Sequence, residues 1–191
     1  MDTAVGPYTI TDLLRMRQET KERLEMIGGE VFVVPTSSVL HQGVLIRFIH
    51  ALFVRVDLAG AGNILCAPID VRLSDVDVVQ PDLVVVLANG DATLAREAIV
   101  GPPALVVEIV SPTSRVQDLH LKRRYYAEAG IPEYWIVDLG PRSVLVLSDP
   151  ADGSYRTETT FAEGGTLRSA TIREFAVPVA DLFPPTTEGE A

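Results

Sequence analysis

Apolar residues recur along this chain at two spacings, and the two spacings predict different elements. Near the N-terminus and again over 41–58, apolar positions lie three or four residues apart, which is typical of a helix with one buried face. In the second stretch they are Val44, Leu45, Phe48, Ile49, Leu52 and Phe53. Between the two stretches, residues 24–34 predict a hairpin that turns at a Gly-Gly pair. The chain is therefore expected to begin with a helix, a hairpin and a second helix.

The middle of the chain contains dense runs of branched aliphatic residues, which predict strands buried on both faces. Such runs occupy 63–73, 78–87, 104–110 and 134–138. A helix is expected over 118–130, and Pro112 with its Ser and Thr neighbours marks the turn before it. The central order is therefore helix, three strands, helix, strand, which indicates an α/β sheet covered by helices.

Two further strands, over 142–147 and 155–161, flank an Asp-Gly turn and predict an antiparallel hairpin near the C-terminus. We expect a single domain over residues 1–183, because this length fits one hydrophobic core. Residues 184–191 are prolines, threonines, glutamates and small residues, and they predict a disordered tail.

The composition excludes several classes of protein. With 47% hydrophobic and 22% charged residues, the chain has the makeup of a globular protein. No apolar run approaches the ~20 residues that a membrane helix needs. The single cysteine, Cys66, excludes an internal disulfide and a thiolate metal cluster, and its apolar context predicts a buried side chain. Because the N-terminus lacks the features of a signal peptide, we expect a cytoplasmic protein without a membrane partner.

The formal net charge of −10 argues against broad, nonspecific adhesion to nucleic acid. The charge is uneven, however, because residues 115–124 contain three arginines and one lysine against a single aspartate. This basic cluster coincides with the helix predicted over 118–130. A solvated helix face explains Arg123 and Arg124 equally well, so the cluster alone is weak evidence of function.

Glu108 is the most informative residue, because it interrupts the apolar run 104–110. Burying a carboxylate in such a strand costs several kcal/mol of desolvation free energy. It requires a compensating charge, which either a basic side chain or a metal ion can supply. Asp82 stands at the head of another apolar strand and offers a second carboxylate.

Lys122 is the basic partner that the following helix would supply. At ~100° per residue, Lys122 falls near the middle of the apolar arc formed by Leu119, Leu121, Tyr125, Tyr126 and Ala129. Lysine is almost never fully buried without a partner. We therefore expect the Lys122 ammonium on the helix and the Glu108 carboxylate on the strand to point inward as opposite charges. A structural Glu–Lys ion pair is one interpretation, and the second carboxylate, Asp82, favours a catalytic site instead.

Three stretches carry a resemblance to a known family. They are Pro81-Asp82, residues 107–114 (Val-Glu-Ile-Val-Ser-Pro-Thr-Ser) and residues 118–138, which end in Gly-Ile-Pro-Glu-Tyr-Trp-Ile-Val-Asp. In these residues the chain resembles the bacterial family of putative restriction endonucleases within the PD-(D/E)XK nuclease superfamily. The resemblance implies an α/β fold with a restriction-endonuclease-like core of helix, three strands, helix and strand. It also implies a mixed sheet, an N-terminal helix and hairpin extension, and a C-terminal β-hairpin.

The superfamily pattern places a lysine two residues after the glutamate, where this chain has Val110. The resemblance implies that this role has moved to Lys122, the residue that the helical projection also indicates. It implies a metal-dependent endonuclease that hydrolyses DNA phosphodiester bonds with Asp82, Glu108 and Lys122 as catalytic residues. Mg²⁺ or Mn²⁺ would bind Asp82 and Glu108, because hard cations take oxygen ligands, and the main-chain carbonyl of Ile109 is the third ligand that the resemblance implies.

Three further residues are candidates for the same site. Glu30 and His41 occupy positions that resemble recurrent residues of the family. Glu30 begins the second strand of the predicted hairpin and His41 begins a predicted helix, so structural roles explain both almost equally well. Asp70 alternates with Ile69 and Val71 and therefore faces either the site or solvent.

We expect DNA as the substrate and a homodimer, in which two related sites would face the two strands of a duplex. The C-terminal hairpin and the N-terminal elements would form the dimer interface. One alternative is a non-catalytic nucleic-acid or protein interaction module that retains a residual metal site on the same fold. Another is a structural ion cluster beside an unrelated ligand pocket.

Overall fold

A computed structural model describes residues 7–110 and 121–185 of the chain. The predicted helix start after Pro112 lies outside the described residues, and so do the first residues of the helix expected over 118–130. Most of the tail expected over 184–191 lies outside them as well.

The described residues form helices and strands, and most of the elements are strands. The helices are α1 (Ile10–Glu19), α2 (Val39–Arg55), α3 (Arg123–Glu128) and a 3₁₀ helix (Val179–Leu182). The first strands are β1 (Arg23–Ile27), β2 (Glu30–Val34), β3 (Gly62–Cys66), β4 (Asp70–Ser74), β5 (Asp77–Val79), β6 (Leu83–Leu87), β7 (Thr93–Leu94) and β8 (Ala98–Val100). The remaining strands are β9 (Leu105–Val110), β10 (Glu133–Asp138), β11 (Ser143–Ala151), β12 (Ser154–Ala162), β13 (Thr166–Arg168) and β14 (Ala176–Pro178).

One six-stranded sheet, which we call the central sheet, has the strand order β12-β11-β10-β9-β6-β3. β10 runs parallel to β9, whereas β6 runs antiparallel to it, so the sheet is mixed. On one face the core cluster combines side chains of α2 with the central strands, among them Phe48, Leu52, Val85, Val107 and Trp135. The predicted order of helix, three strands, helix and strand is confirmed in α2, β3, β6, β9, α3 and β10.

A second six-stranded sheet, the outer sheet, has the order β2-β1-β5-β4-β8-β7. The predicted N-terminal hairpin forms two of its strands, and α1 begins after Thr9 in a capping box with Asp12. The hydrogen bond from the Thr9 hydroxyl lowers the pKa of the Asp12 carboxyl. A core cluster joins both sheets, with Val71 and Val79 from the outer sheet packed among Val106 and other residues of the central sheet.

Two of the predicted strands are each divided in the structure. The run 63–73 forms β3 and β4, and the run 78–87 forms β5 and β6, with the members of each pair in different sheets. Pro68 and Pro81 lie at these divisions, and proline lacks the N–H that a continuous strand would donate. The chain therefore crosses between the sheets at each of these two divisions, and the crossing at Pro81 places Asp82 directly before β6.

Two other expectations about burial were wrong. Cys66 is exposed, because it ends β3 at the edge of the central sheet. Ala127, which is not among the residues of the predicted apolar arc, is also buried, because α3 packs against β11 and β12 of the C-terminal hairpin. That hairpin is longer than predicted. Among the described helices, none has the length and apolar character that crossing a membrane requires.

Candidate active site

β6 and β9 bring Asp82 and Glu108 side by side. Leu83 pairs with Val107, and the same antiparallel register places Asp82 opposite Glu108 on one face of the sheet. Asp82 Oδ2 accepts a hydrogen bond from the main-chain nitrogen of Ile109 at 2.8 Å. The two carboxylates that the sequence singled out are therefore cross-strand neighbours.

Lys122 lies between two carboxylates, one from each sheet. Its Nζ donates to Glu108 Oε1 at 2.8 Å and lies 3.1 Å from Glu25 Oε2. All three residues are buried, at 5%, 5% and 2% exposure for Lys122, Glu108 and Glu25. The inward orientation predicted for Lys122 is confirmed, and its ammonium compensates the buried charge of Glu108.

Tyr126 is another partner of Glu108 among the described residues. Its hydroxyl donates to Glu108 Oε1 at 2.8 Å, one helical turn after Lys122 on the same side of the helix. The tip of the N-terminal hairpin packs nearby, since a Cβ added to Gly28 would lie only 2.1 Å from the hydroxyl oxygen of Tyr125. This close approach holds the hairpin, and Glu25 with it, against the Lys122 segment.

Glu25 was missed by the sequence analysis, which favoured the other glutamate of the hairpin. Glu30 is exposed at the start of β2 and opposite Ile27, and among the described residues it makes none of the hydrogen bonds of this cluster. The signal for Glu25 is the same as for Glu108. It is a carboxylate inside a short strand whose neighbours, Leu24 and Met26, are apolar and buried.

His41, a residue of α2, contacts the carboxylate of Asp82. It lies in the first turn of α2, where Ser38 caps the helix by accepting a hydrogen bond from the His41 main-chain nitrogen. His41 Nε2 is 3.1 Å from Asp82 Oδ2. The ring is 7% exposed, and its Nδ1 has no hydrogen-bond partner within the described residues. The sequence offered His41 two roles, one at the start of a helix and one at the site. In the structure His41 has both positions, because it lies in the first turn of α2 and contacts Asp82.

Asp70 is buried rather than facing solvent. Its carboxylate accepts from an Arg17 guanidinium nitrogen at 2.7 Å and from Gln80 Nε2 at 2.9 Å. Gln80 in turn donates its main-chain N–H to Glu25 Oε1 at 2.6 Å. Asp70 is thus linked to the Lys122 cluster through Gln80.

The basic cluster expected beside the site is largely neutralised where the structure describes it. Arg123 pairs with Glu158 of β12, and Arg124 Nε donates to Glu128 at 2.8 Å. Arg115 lies outside the described residues. Lys122 is the member of this cluster that the fold directs into the interior.

A further buried carboxylate, Glu133, lies apart from this site at the start of β10. It is fully buried and accepts hydrogen bonds from Trp135 Nε1 at 2.7 Å, the Ser169 hydroxyl at 2.6 Å and the Thr171 main-chain nitrogen at 2.9 Å. These donors tie the segment after β13 to the central sheet. Burial also raises the pKa of the nearby Tyr155 hydroxyl, which donates to the Ile131 carbonyl at 3.0 Å.

We expect Glu133→Leu to lower the free energy of unfolding by about 3 kcal/mol or more, because several buried donors lose their acceptor together. Urea unfolding followed by tryptophan fluorescence would measure the change. Glu97→Leu, at an exposed position, is the matched control. Equal small losses in both variants would show that the Glu133 hydrogen bonds contribute little to stability.

The fold is of the restriction-endonuclease-like class. Among solved structures, the chain is similar to a crystal structure titled as a putative nuclease belonging to DUF820 from Anabaena variabilis ATCC 29413. That match has a TM-score of 0.76 and 17% identity, and it covers 93% of this chain and 98% of the other. No curated protein matches the chain.

The family is shown by a match over most of the chain. The model of Uma2, described as putative restriction endonuclease, matches residues 10–180. The chain therefore belongs to the Uma2 family, as the resemblance in Pro81-Asp82, 107–114 and 118–138 indicated.

The divalent cation that this family implies fits the chemistry of the donors. Carboxylate and main-chain carbonyl oxygens are the ligands that Mg²⁺ and Mn²⁺ take, and Asp82 and Glu108 present two carboxylates in register. Within the described residues, however, no three His, Cys, Asp or Glu side chains form a ready-made metal cluster. In this structure the Glu108 charge is compensated by Lys122.

Proposed function

We propose that this protein is a divalent-metal-dependent endonuclease that hydrolyses DNA phosphodiester bonds, with Asp82, Glu108 and Lys122 as its catalytic residues. The observation that carries the proposal is the buried ammonium of Lys122, 2.8 Å from Glu108 Oε1, beside a second carboxylate on the adjacent strand. Membership of a nuclease-like family supports the same conclusion.

Asp82, Glu108 and the main-chain carbonyl of Ile109 would hold Mg²⁺ or Mn²⁺. A bound divalent cation polarises a phosphodiester and lowers the pKa of a coordinated water. His41 and the Ile109 N–H orient the Asp82 carboxylate, and Tyr126 orients that of Glu108. Lys122 would orient the attacking water or stabilise the charge that develops on the phosphate.

Calorimetric titration with Mg²⁺ and Mn²⁺ tests this proposal, using the wild type and the Asp82→Ala/Glu108→Ala double variant. Plasmid nicking is measured on the same samples. We expect metal binding and nicking in the wild type and the loss of both in the double variant. Unchanged cleavage by the double variant would overturn the assignment of these residues.

A non-catalytic module with a residual ion site is the second candidate, and two observations favour it. The described residues lack a ready-made cluster of metal-binding side chains, and Lys122 already compensates Glu108. Metal binding by the wild type without cleavage of any DNA form would support this candidate over the endonuclease.

We further propose that the protein acts as a homodimer in the cytoplasm, in contact with DNA. The interface would involve the hairpin of β11 and β12 and the N-terminal elements, so that two sites face one duplex. We expect sedimentation equilibrium at assay concentrations to give twice the chain mass of 20.7 kDa. A monomer with full cleavage activity would contradict the dimer.

A further inference from the structure

A chain of polar contacts leads from the candidate site into the outer sheet. Lys122 contacts Glu25, Glu25 accepts from Gln80, Gln80 donates to Asp70, and Asp70 accepts from Arg17. Glu25 and Asp70 are 2% and 9% exposed. These contacts are therefore largely shielded from water, where hydrogen bonds to charged groups contribute most.

Gln80 is the residue through which this chain reaches Glu25. Its main-chain N–H donates to Glu25 Oε1. The nitrogen and the oxygen of its side-chain amide each form a hydrogen bond as well. Gln80 Nε2 donates to Asp70 at 2.9 Å and Gln80 Oε1 accepts from Arg23 Nε at 3.2 Å. These side-chain contacts restrain Gln80, and with it the main-chain N–H of Gln80 that donates to Glu25.

The same short connection also controls the other half of the site. Gln80 and Asp82 flank Pro81 between β5 and β6, and Asp82 is held by the Ile109 N–H at 2.8 Å. One connection therefore sets both Glu25, which contacts the lysine, and Asp82, which is proposed to bind the cation.

The position of Lys122 creates a competition at Glu108. An ammonium 2.8 Å from Glu108 Oε1 opposes a divalent cation at the same carboxylate, because like charges repel strongly where water is excluded. Glu25 offers Lys122 a second carboxylate at 3.1 Å. A lysine that keeps this contact can leave Glu108 without becoming a buried, unpaired charge, which would be costly.

We propose that Gln80 and Asp70 are positioning residues that hold Glu25 as the carboxylate onto which Lys122 withdraws when Glu108 binds a divalent cation. This inference rests on the proposed function, because it assigns the cation to Asp82 and Glu108. It adds to that function a set of outer-sheet residues that tune how readily the cation binds.

Gln80→Leu tests the inference, since it removes the amide contacts but keeps the main-chain N–H and the charge. We expect the calorimetric dissociation constant for Mn²⁺ to rise by ~10-fold, the lower end of the range for residues that orient metal ligands. The Mn²⁺ concentration for half-maximal plasmid nicking should rise by the same factor, with the rate at saturating Mn²⁺ nearly unchanged. Gln42→Leu, at an exposed position of α2, is the control.

Glu25→Gln should weaken Mn²⁺ binding further, because Lys122 then loses the carboxylate that Glu25 offers it at 3.1 Å. Its control is Glu22→Gln, which removes the same charge from an exposed position just before β1. Equal weakening in both variants would show a general charge effect and overturn the role of Glu25. A Gln80→Leu protein that is less stable but binds Mn²⁺ normally would overturn the role of Gln80.

A metal-free measurement separates this inference from the proposed function. In a double-mutant cycle of Gln80→Leu and Lys122→Met, we expect the unfolding equilibrium constants to deviate at least ~3-fold from additivity. If the wild type shows no Mn²⁺ binding that depends on Asp82 and Glu108, the proposed function and the lysine withdrawal both fail. The cycle then still decides the positioning, because additivity overturns it and coupling supports it.

Discussion

Lys122→Met is expected to lower the free energy of unfolding by about 3–5 kcal/mol, the usual cost of removing one partner from a buried ion pair. The change leaves Glu25 and Glu108 buried next to one another without the ammonium that lies between them. Urea unfolding monitored by circular dichroism and by the buried Trp135 would measure the loss. Plasmid nicking should fall to background in the same variant, because the proposed catalytic ammonium is gone.

The control for this change is Lys21→Met, at an exposed position before β1. It removes the same charge and should alter stability by less than about 0.5 kcal/mol. The triple variant Lys122→Met/Glu25→Gln/Glu108→Gln should recover much of the lost stability, because no buried charge then lacks its partner. A loss below about 1 kcal/mol in Lys122→Met would show that Lys122 does not compensate the two carboxylates.

Glu108→Gln is expected to affect cleavage as strongly as Lys122→Met does, but to affect stability less. Glutamine retains an acceptor for the Tyr126 hydroxyl, and Lys122 retains Glu25. We expect a stability loss of about 1–2 kcal/mol and a fall in metal-dependent nicking of at least ~100-fold. Nicking assays at saturating Mn²⁺, paired with urea unfolding, would give both values.

The matched control is Asp152→Asn, at an exposed position in the turn between β11 and β12. A structural ion cluster predicts the reverse result for Glu108→Gln, namely a large loss of stability with little change in metal affinity. This comparison therefore separates the endonuclease from the purely structural interpretation.

The central sheet could be predicted because its strands are long, apolar and regularly spaced. β9 and β10 are each rich in buried apolar residues, and α2 shows a clear helical period. The outer sheet could not be predicted as a sheet, because β5, β7 and β8 have only three, two and three residues. Strands this short carry no periodicity, and their partners are set by contacts between distant parts of the chain.

The residues of the candidate site could be predicted where a charged side chain lies among apolar neighbours in the sequence pattern. Glu108 in an apolar strand and Lys122 in an apolar helix face both carry that signal, and the structure places them in contact. Glu25 carries it more weakly, because its strand is short and belongs to a hairpin with a glutamate at each side of the turn. Alternation alone left two faces open for Asp70, and only the position of α1 with Arg17 decides between them.

The hydrogen bonds of Glu133 have a consequence for how the gene could be shortened or fused. They fasten the segment that follows β13, and this segment delivers Phe175, Leu182 and Phe183 into the same core as α2 and the central strands. The last twenty described residues therefore contribute side chains to the hydrophobic interior and are not an appendage to the hairpin of β11 and β12. A version cut back to that hairpin would expose a large apolar surface, so we expect a folded version of this protein to require the residues through Phe183.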